Sequence, residues 1–452
     1  MPMPMITMPL LATLLCQGAP SGAVVGDALL AQPTTPLDAR VDAKKVTSLA
    51  PPQLPRSLTP PPPVIRRIAD SASQVPVDAA CFEQARAAIN RGLDFLRKHQ
   101  GPEGGWMEGV QGQGSEAAKP SKAASSAVTA LVIRAFAQAG FGEDSDPAVG
   151  SGVRRLLAQT RDERGFAPDP SGGMETYVAS CTALALTALD SPKHAEALQE
   201  VLAWLKRVQW DQAEGVRPEQ DWFGGVGYGS KGRPDLSNTQ MMLDALHDGR
   251  VKADDASVQR ALAFVQRCQN RKADGAAAWA EAGSGDGGFV YTVANGGESF
   301  ASEVAGEGRY GEKMPPGTRA LRSYGSMTYA GYKSLLFAGL AKNDPRVLAA
   351  LEWIASHYTM NENPGLGQQG LFYYRLAMAR ALLAGGMDSI KDSAGTAHDW
   401  RCELINALVA SQQADGSWVN PQDRWMEGEP DLVTAYALLA IEEAIKPTLQ
   451  SQ

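Results

Sequence analysis

The chain of 452 residues has no tract of basic residues and no Cys-x-x-Cys pair. Nucleic-acid partners need clustered lysine and arginine to neutralise phosphates, so the first absence, together with a net charge of -8, excludes them. The five cysteines (Cys16, Cys81, Cys181, Cys268 and Cys402) lie far apart. That spacing argues against a structural zinc ribbon or a disulfide framework, and leaves the cysteines as reduced, small apolar residues. The sequence therefore calls for no metal and no cofactor.

What is present is an ordinary globular composition, 44% hydrophobic and 20% charged, with ample length for a large core. Met5 to Cys16 (MITMPLLATLLC) is an apolar run followed by Ala19, Ser21, Gly22 and Ala23. It is too short to span a bilayer, has the length of an export signal, and has no lysine or arginine before it. Residues 1–31 are accordingly read as a signal peptide directing the chain to a periplasm or cell envelope; otherwise the protein is cytoplasmic. Any membrane attachment would run through this N-terminus alone. Residues 32–76 carry Pro51, Pro52, Pro55 and Pro60 to Pro63 without helical periodicity, which reads as an extended linker. The folded domain is expected over 77–446.

Within that domain a pair of helices recurs six times. The first helices are expected over about Cys81–His99, Asp146–Gln159, Ala197–Val208, Ala256–Gln269, Pro345–His357 and Trp400–Gln412. The second run over about Ser125–Ala139, Tyr177–Asp190, Leu236–His247, Ser326–Leu340, Gly370–Leu383 and Leu432–Ala444. The first set is amphipathic, as in Val201, Leu202, Leu205 and Val208. The second is apolar nearly all round, the mark of a helix buried on both sides. A unit of two helices cannot bury its apolar face alone, and six can close a ring with the apolar helices inside. The expected fold is all-α, an (α/α)6 toroid.

Several repeats carry a glutamine followed by a Gly-aromatic segment: Gln100, Gly105 and Trp106; Gln209 with Trp222; Gln412, Gly416 and Trp418. This pattern resembles the QW repeat of squalene cyclases and the related prenyltransferase repeat, over roughly Val77 to Ile445. The resemblance implies a terpenoid cyclase or protein prenyltransferase type of toroid. Full-length squalene cyclases have two such barrels; this chain has room for one. Class II cyclisation protonates an alkene with a carboxylic acid kept neutral by its surroundings, then guides the cation with aromatic faces. In the family that acid belongs to an Asp-x-Asp-Asp-Thr motif. The threonine has matches at Thr129, Thr182, Thr239, Thr328 and Thr434, but two positions earlier stand Ala127, Ser180, Ser237, Ser326 and Leu432. Only Asp235, four before Thr239, retains the first aspartate, and Asn238 precedes that threonine. Prenyltransferase β subunits hold zinc with Asp, Cys and His; His398, Asp399 and Cys402 have the wrong spacing, and Asp399 reads instead as a helix N-cap. The Cys-Gly-Glu-Gln of complement-like thioester domains is absent.

The candidate site is the mouth of the ring, where the loops between first and second helices converge. A glycine-rich insertion from about Asn270 to Arg322 brings Asp286, Tyr291, Glu298, Glu303, Glu307, Arg309 and Tyr310 to it. The catalytic candidates are Asp235 and Asp286, because a carboxylate near an apolar cavity is costly unless used or paired. The candidates for ligand contact are Tyr228, Tyr291, Tyr324, Tyr329, Tyr373, Tyr374 and Trp425. Trp106-Met107-Glu108-Gly109 recurs as Trp425-Met426-Glu427-Gly428, and the two copies would meet at the seam of a closed ring. Three readings remain open: a toroid binding a small apolar or isoprenoid ligand, a divergent class II terpenoid cyclase, and a carbohydrate-acting enzyme working through paired carboxylates.

Overall fold

Five of the six outer helices begin at a capping aspartate, and the remaining one begins after His194 without one. The outer set is α1 (Ala79–His99), α3 (Pro147–Thr160), α5 (Ala195–Arg207), α7 (Ala256–Arg267), α10 (Pro345–Ser356) and α12 (Trp400–Ser411). Five are N-capped by an aspartate whose carboxylate accepts a first-turn N–H: Asp78, Asp146, Asp255, Asp344 and Asp399. Pro147 and Pro345 follow directly, at the helical position where a missing N–H costs nothing. The inner set is α2 (Lys122–Gln138), α4 (Glu175–Leu189), α6 (Leu236–Asp248), α9 (Gly325–Phe337), α11 (Leu371–Ala384) and α13 (Pro430–Gln450). A short α8 (Ala278–Ala282) and three two-residue hairpins, β1–β2 (161–162 with 165–166), β3–β4 (312–313 with 319–320) and β5–β6 (390–391 with 397–398), decorate the loops.

The structure is a computed structural model and describes residues 76–107, 121–272, 278–301, 312–313 and 319–450. The expected export segment, the linker apart from its last residue, Glu108, Gly109, Glu303, Glu307, Arg309 and Tyr310 lie outside these residues. Each inner helix packs on the next in chain order and α13 returns to α2, so the ring closes as an (α/α)6 toroid. Every residue of α2 from Ala123 to Phe136 is buried, whereas α5 buries one face through Ala197, Val201, Leu202, Trp204 and Leu205. Among the described residues no helix is long and apolar enough to cross a membrane.

The repeated Gln, Gly and Thr hold neighbouring repeats together. The Nε2 of Gln100, Gln209, Gln269 and Gln412 each donates to a carbonyl in its own loop (Gly104, Gly224, Gly287, Gly416) and to one in the next outer helix (Ala148, Ser257, Arg346, Ala88), at 2.7–3.0 Å. Gly224 and Gly416 have φ of 85° and 96°, and a Cβ at either would run into a backbone carbonyl of that next helix, at Arg260 or Arg91. The N–H groups of Trp106, Val226, Phe289 and Trp418 then donate to Thr129, Thr239, Thr328 and Thr434 at 3.0–3.1 Å. The threonine thus satisfies a buried backbone donor, which gives it a reason to recur that is independent of any adjacent acid. Trp106 and Trp418 are fully buried, and each donates its indole N–H at 2.8 Å to the carbonyl ten residues upstream, Leu96 or Leu408.

The seam between the last and first repeats also carries a covalent link, which corrects the reading of all five cysteines as reduced. Cys81 of α1 and Cys402 of α12 form a disulfide, with Cα atoms 5.7 Å apart across 321 residues of sequence. Both stand in the first turn of an outer helix, and closure of the ring sets those helices side by side. Cys181 and Cys268 are free and buried, and Cys16 lies outside the described residues.

The inner helices are less uniformly apolar than their sequences suggest. Arg134, Asp244, Lys333, Arg380 and Glu443 are at least nine-tenths buried and, with the half-buried Asp248, form one layer across the ring. Arg380 donates to Asp244 (3.0 Å), Glu443 (2.8 Å) and Asp248 (3.1 Å); Lys333 donates to Asp244 (2.6 Å) and Gln240 (2.7 Å); Arg134 donates to Glu443 (3.2 Å). Three cations face three anions, as charges removed from water require. Burial lowers the Lys333 pKa to about 8.

Candidate functional site

The mouth lies at the N-terminal ends of the inner helices, where the longer loops arrive, and each loop leans over the inner helix of the preceding repeat. Thr176 N–H of α4 donates to the Tyr228 carbonyl, Leu236 N–H of α6 to Tyr291, and Gly325 N–H of α9 to Pro364, each at 2.8 Å. At α11, whose N-cap is Gly370 without a capping side chain, Glu427 accepts from the N–H groups of Phe372 (3.3 Å) and Tyr373 (2.8 Å). Asp431 of α13 accepts from Met107 N–H at 3.0 Å and lies 3.2 Å from His99 Nδ1. Tyr228 and Tyr291 therefore occupy one repeat position, two residues beyond the N–H that binds the threonine.

Asp235 sits among these tyrosines. It is 2% exposed and N-caps α6: Oδ1 accepts from Asn238 N–H (2.8 Å) and Nδ2 (3.0 Å), and Oδ2 from the same Nδ2 (2.9 Å). Burial raises its pKa to about 7 against the opposing pull of Asn238, the Tyr291 hydroxyl and the Arg233 guanidinium. Tyr324 is 2% exposed, its N–H donates to the Phe289 carbonyl at 3.3 Å, and burial raises its hydroxyl pKa well above the ordinary phenol value. The Tyr373 hydroxyl is 3.3 Å from Ser237 Oγ and accepts from Gln240 Nε2 at 3.0 Å. Tyr291 packs on Phe300 with ring centres 4.5 Å apart, and Phe300 on Trp425 at 5.4 Å. The structure thus brings together Asp235, Tyr228, Tyr291, Tyr324, Tyr373 and Trp425.

Three other candidates stand elsewhere. Asp286 is exposed in a turn, where it accepts from Gly288 N–H (3.0 Å) and from the hydroxyls of Ser284 (2.9 Å) and Ser323 (2.8 Å). Asp415 plays the same part in the last repeat through Ser417. Tyr329 and Tyr374 pack edge to face at 5.6 Å, and the Tyr374 hydroxyl donates to the Thr359 carbonyl, toward the outer helices. Of the two Trp-Met copies, Trp106 is core, while half-buried Trp425 faces Phe300 and Gly370. Both methionines have left-handed backbones, φ of 59° and 67°, and Trp425 itself has φ of 57°. Two successive non-glycine residues held there amount to backbone strain at the rim.

Sequence reasoning missed Tyr177, Tyr436 and Phe300. The Tyr177 and Tyr436 hydroxyls lie 2.9 Å apart, and their rings pack on Tyr228 (5.9 Å) and Tyr373 (6.0 Å). The signal for Tyr177 was the register: Tyr177 and Tyr373 are both the third residue of an inner helix. Burial raises the carboxyl pKa of Glu427 and of Asp431 as well. Asp235, Glu427 and Asp431 each accept from a backbone N–H, so the arrangement is a phenol-lined mouth over capping acids. Among the described residues no group of His, Cys, Asp and Glu has the form of a metal site.

No family model and no curated relative matches the sequence. Solved structures do match in fold. The type II terpene cyclase MstE from Scytonema shares 13% identity at a TM-score of 0.47, covering 81% of this chain and 99% of that one. The GH76A alpha-1,6-mannanase from Salegentibacter sp. shares 8% at 0.49, covering 81% and 99%. A D-mannose isomerase shares 12% at 0.50, covering 80% and 97%. All have the (α/α)6 toroid, and at such identities the likeness is one of fold.

Proposed function

We propose that this chain is an exported, squalene cyclase-like toroid that binds a small apolar or isoprenoid ligand at the tyrosine-lined mouth of its ring, without polyene cyclisation of the Asp-x-Asp-Asp type. The observation that carries the reading is the contrast between the mouth and the middle. The mouth offers the rings of Tyr228, Tyr291, Phe300 and Trp425, while the layer beneath holds Arg134, Lys333, Arg380 and their counter-ions. A hydrocarbon chain threaded through that layer would strand buried charges, so an apolar ligand is held above it. Export is supported by the Cys81–Cys402 disulfide, since such links persist in oxidising compartments.

A second reading, a divergent cyclase protonating through Asp235, is favoured by that carboxyl's pKa of about 7. One experiment separates the two. Wild type, Trp425→Ala and Asp235→Asn are incubated with squalene and with short polyprenols and their diphosphates, following binding by tryptophan fluorescence and products by gas chromatography. Binding without product, weakened roughly ten-fold in Trp425→Ala, supports the first reading. A cyclised product lost in Asp235→Asn supports the second, and no binding of any isoprenoid refutes both.

A further inference from the structure

We infer that a second site, for a small zwitterion, lies beside the mouth, between the second and third repeats. A cavity of about 350 Å³ opens there between the loop after α3, the start of α4 and the last turn of α5. Its apolar side is Trp204, 9% exposed and packed edge to face on Phe166 at 5.6 Å. Its charged groups fall into two kinds. Asp162 and Arg164 satisfy each other across the β1–β2 turn, at 2.8 Å. Glu175 and Arg207 do not.

Glu175 is 7% exposed, and its Oε1 accepts from Ser230 Oγ at 3.1 Å, while its Oε2 is buried without a partner. A carboxylate oxygen left unsatisfied behind a cavity wall costs free energy that a donor entering from the cavity would recover. Arg207 ends α5, is exposed, and has no ion-pair or hydrogen-bond partner among the described residues. It lines the same cavity as Glu175 without pairing with it. An acceptor and a cationic donor held apart beside an aromatic wall suit a ligand with an ammonium group, a carboxylate and an apolar body between them. A free apolar amino acid has that form, and the volume admits one with room to spare. A lone amine would leave Arg207 unused, and a lone carboxylate would meet Glu175. This site shares no ligand-contact residue with the mouth, so it stands or falls independently of the function proposed there.

The test is calorimetric titration of the full chain with L-phenylalanine, L-phenylalanine amide and N-acetyl-L-phenylalanine, with glucose as a neutral polyol. Wild type should bind the zwitterion about ten-fold more tightly than either blocked form, the loss expected for one charge-assisted hydrogen bond. Arg207→Gln should abolish the preference for acid over amide and keep the preference for the free ammonium. Glu175→Gln should do the reverse. Arg207 is a surface residue, so its variant reports on the site even if Glu175→Gln disturbs the start of α4. The proposal is overturned if L-phenylalanine does not bind wild type, if glucose binds better, or if Arg207→Gln discriminates acid from amide as wild type does.

Discussion

Reducing the seam disulfide tests the ring and the compartment together. A link between residues 321 apart removes loop-closure entropy from the unfolded chain, about 5–6 kcal/mol by the loop-length relation. That is a ceiling, because Gln412 and Asp431 also hold the seam, through Ala88 and Met107. A loss of about 3–6 kcal/mol is expected for Cys402→Ser, and the same for Cys81→Ser, since either removes this covalent link. With an unfolding entropy of about 2.1 cal/mol/K per residue over a ring of this size, the midpoint should fall by roughly 4–8 °C. The assay is thermal unfolding followed by helical circular dichroism, with and without dithiothreitol, alongside differential alkylation and peptide mapping of the oxidised protein. Reductant should lower the wild-type midpoint to that of Cys402→Ser and leave the variant unmoved. Cys81 and Cys402 should resist alkylation until reduced, whereas Cys181 and Cys268 should react on unfolding alone. If Cys81 and Cys402 are alkylated without reductant in protein made under oxidising conditions, the seam is not closed as described, and the disulfide lends no support to export.

Two further substitutions probe the mouth and the repeat. The Asp235 carboxyl has its folded pKa raised from 3.8 to about 7, so the folded state holds a proton that the unfolded state releases between those values. Its favourable contribution is complete below about pH 4 and lost as pH rises through 7, a swing of about 4 kcal/mol. Asn can keep the cap without titrating; in urea unfolding Asp235→Asn should gain on wild type as pH rises from 4 to 8, and a difference independent of pH would refute this assignment. Thr434→Val leaves the buried Trp418 N–H without its acceptor and should cost about 1–3 kcal/mol by the same method, with no change in helix content; a neutral outcome would show that the threonine's recurrence has another cause.

The ring was legible because its signals are local. Periodicity separated inner from outer helices, and Asp399 reads as an N-cap from its place before Trp400 alone, as its 3.2 Å bond from Cys402 N–H bears out. What the sequence concealed depends on closure. Cys81 and Cys402 look unrelated until the first and last outer helices stand together. Glu427 and Asn363 cap α11 and α9, but each belongs to the loop of the following repeat, so no capping spacing betrays them. The charged layer was hidden for the same reason. Arg134, Lys333, Arg380 and Glu443 each interrupt a different apolar helix, and only the closed ring brings them to one depth.

The threonine register shows how a true signal can mark the wrong thing. It identified equivalent positions in the inner helices and showed that none of the five carries an acid where a cyclase would place one. The structure explains four of the five threonines, all but Thr182, through the N–H groups of Trp106, Val226, Phe289 and Trp418, so their recurrence follows from stacking and carries no information about chemistry. Chemistry must then be sought where the repeats differ. They differ most in the residues that lie on the mouth beyond that shared bond: Tyr228 and Tyr291 two residues on, and Asn420 in the last repeat, whose amide instead binds Glu427 at 2.6 Å. An asymmetric mouth built on symmetric joints can change its ligand without disturbing the ring. In such a fold the residues that identify the architecture are those least able to reveal the function.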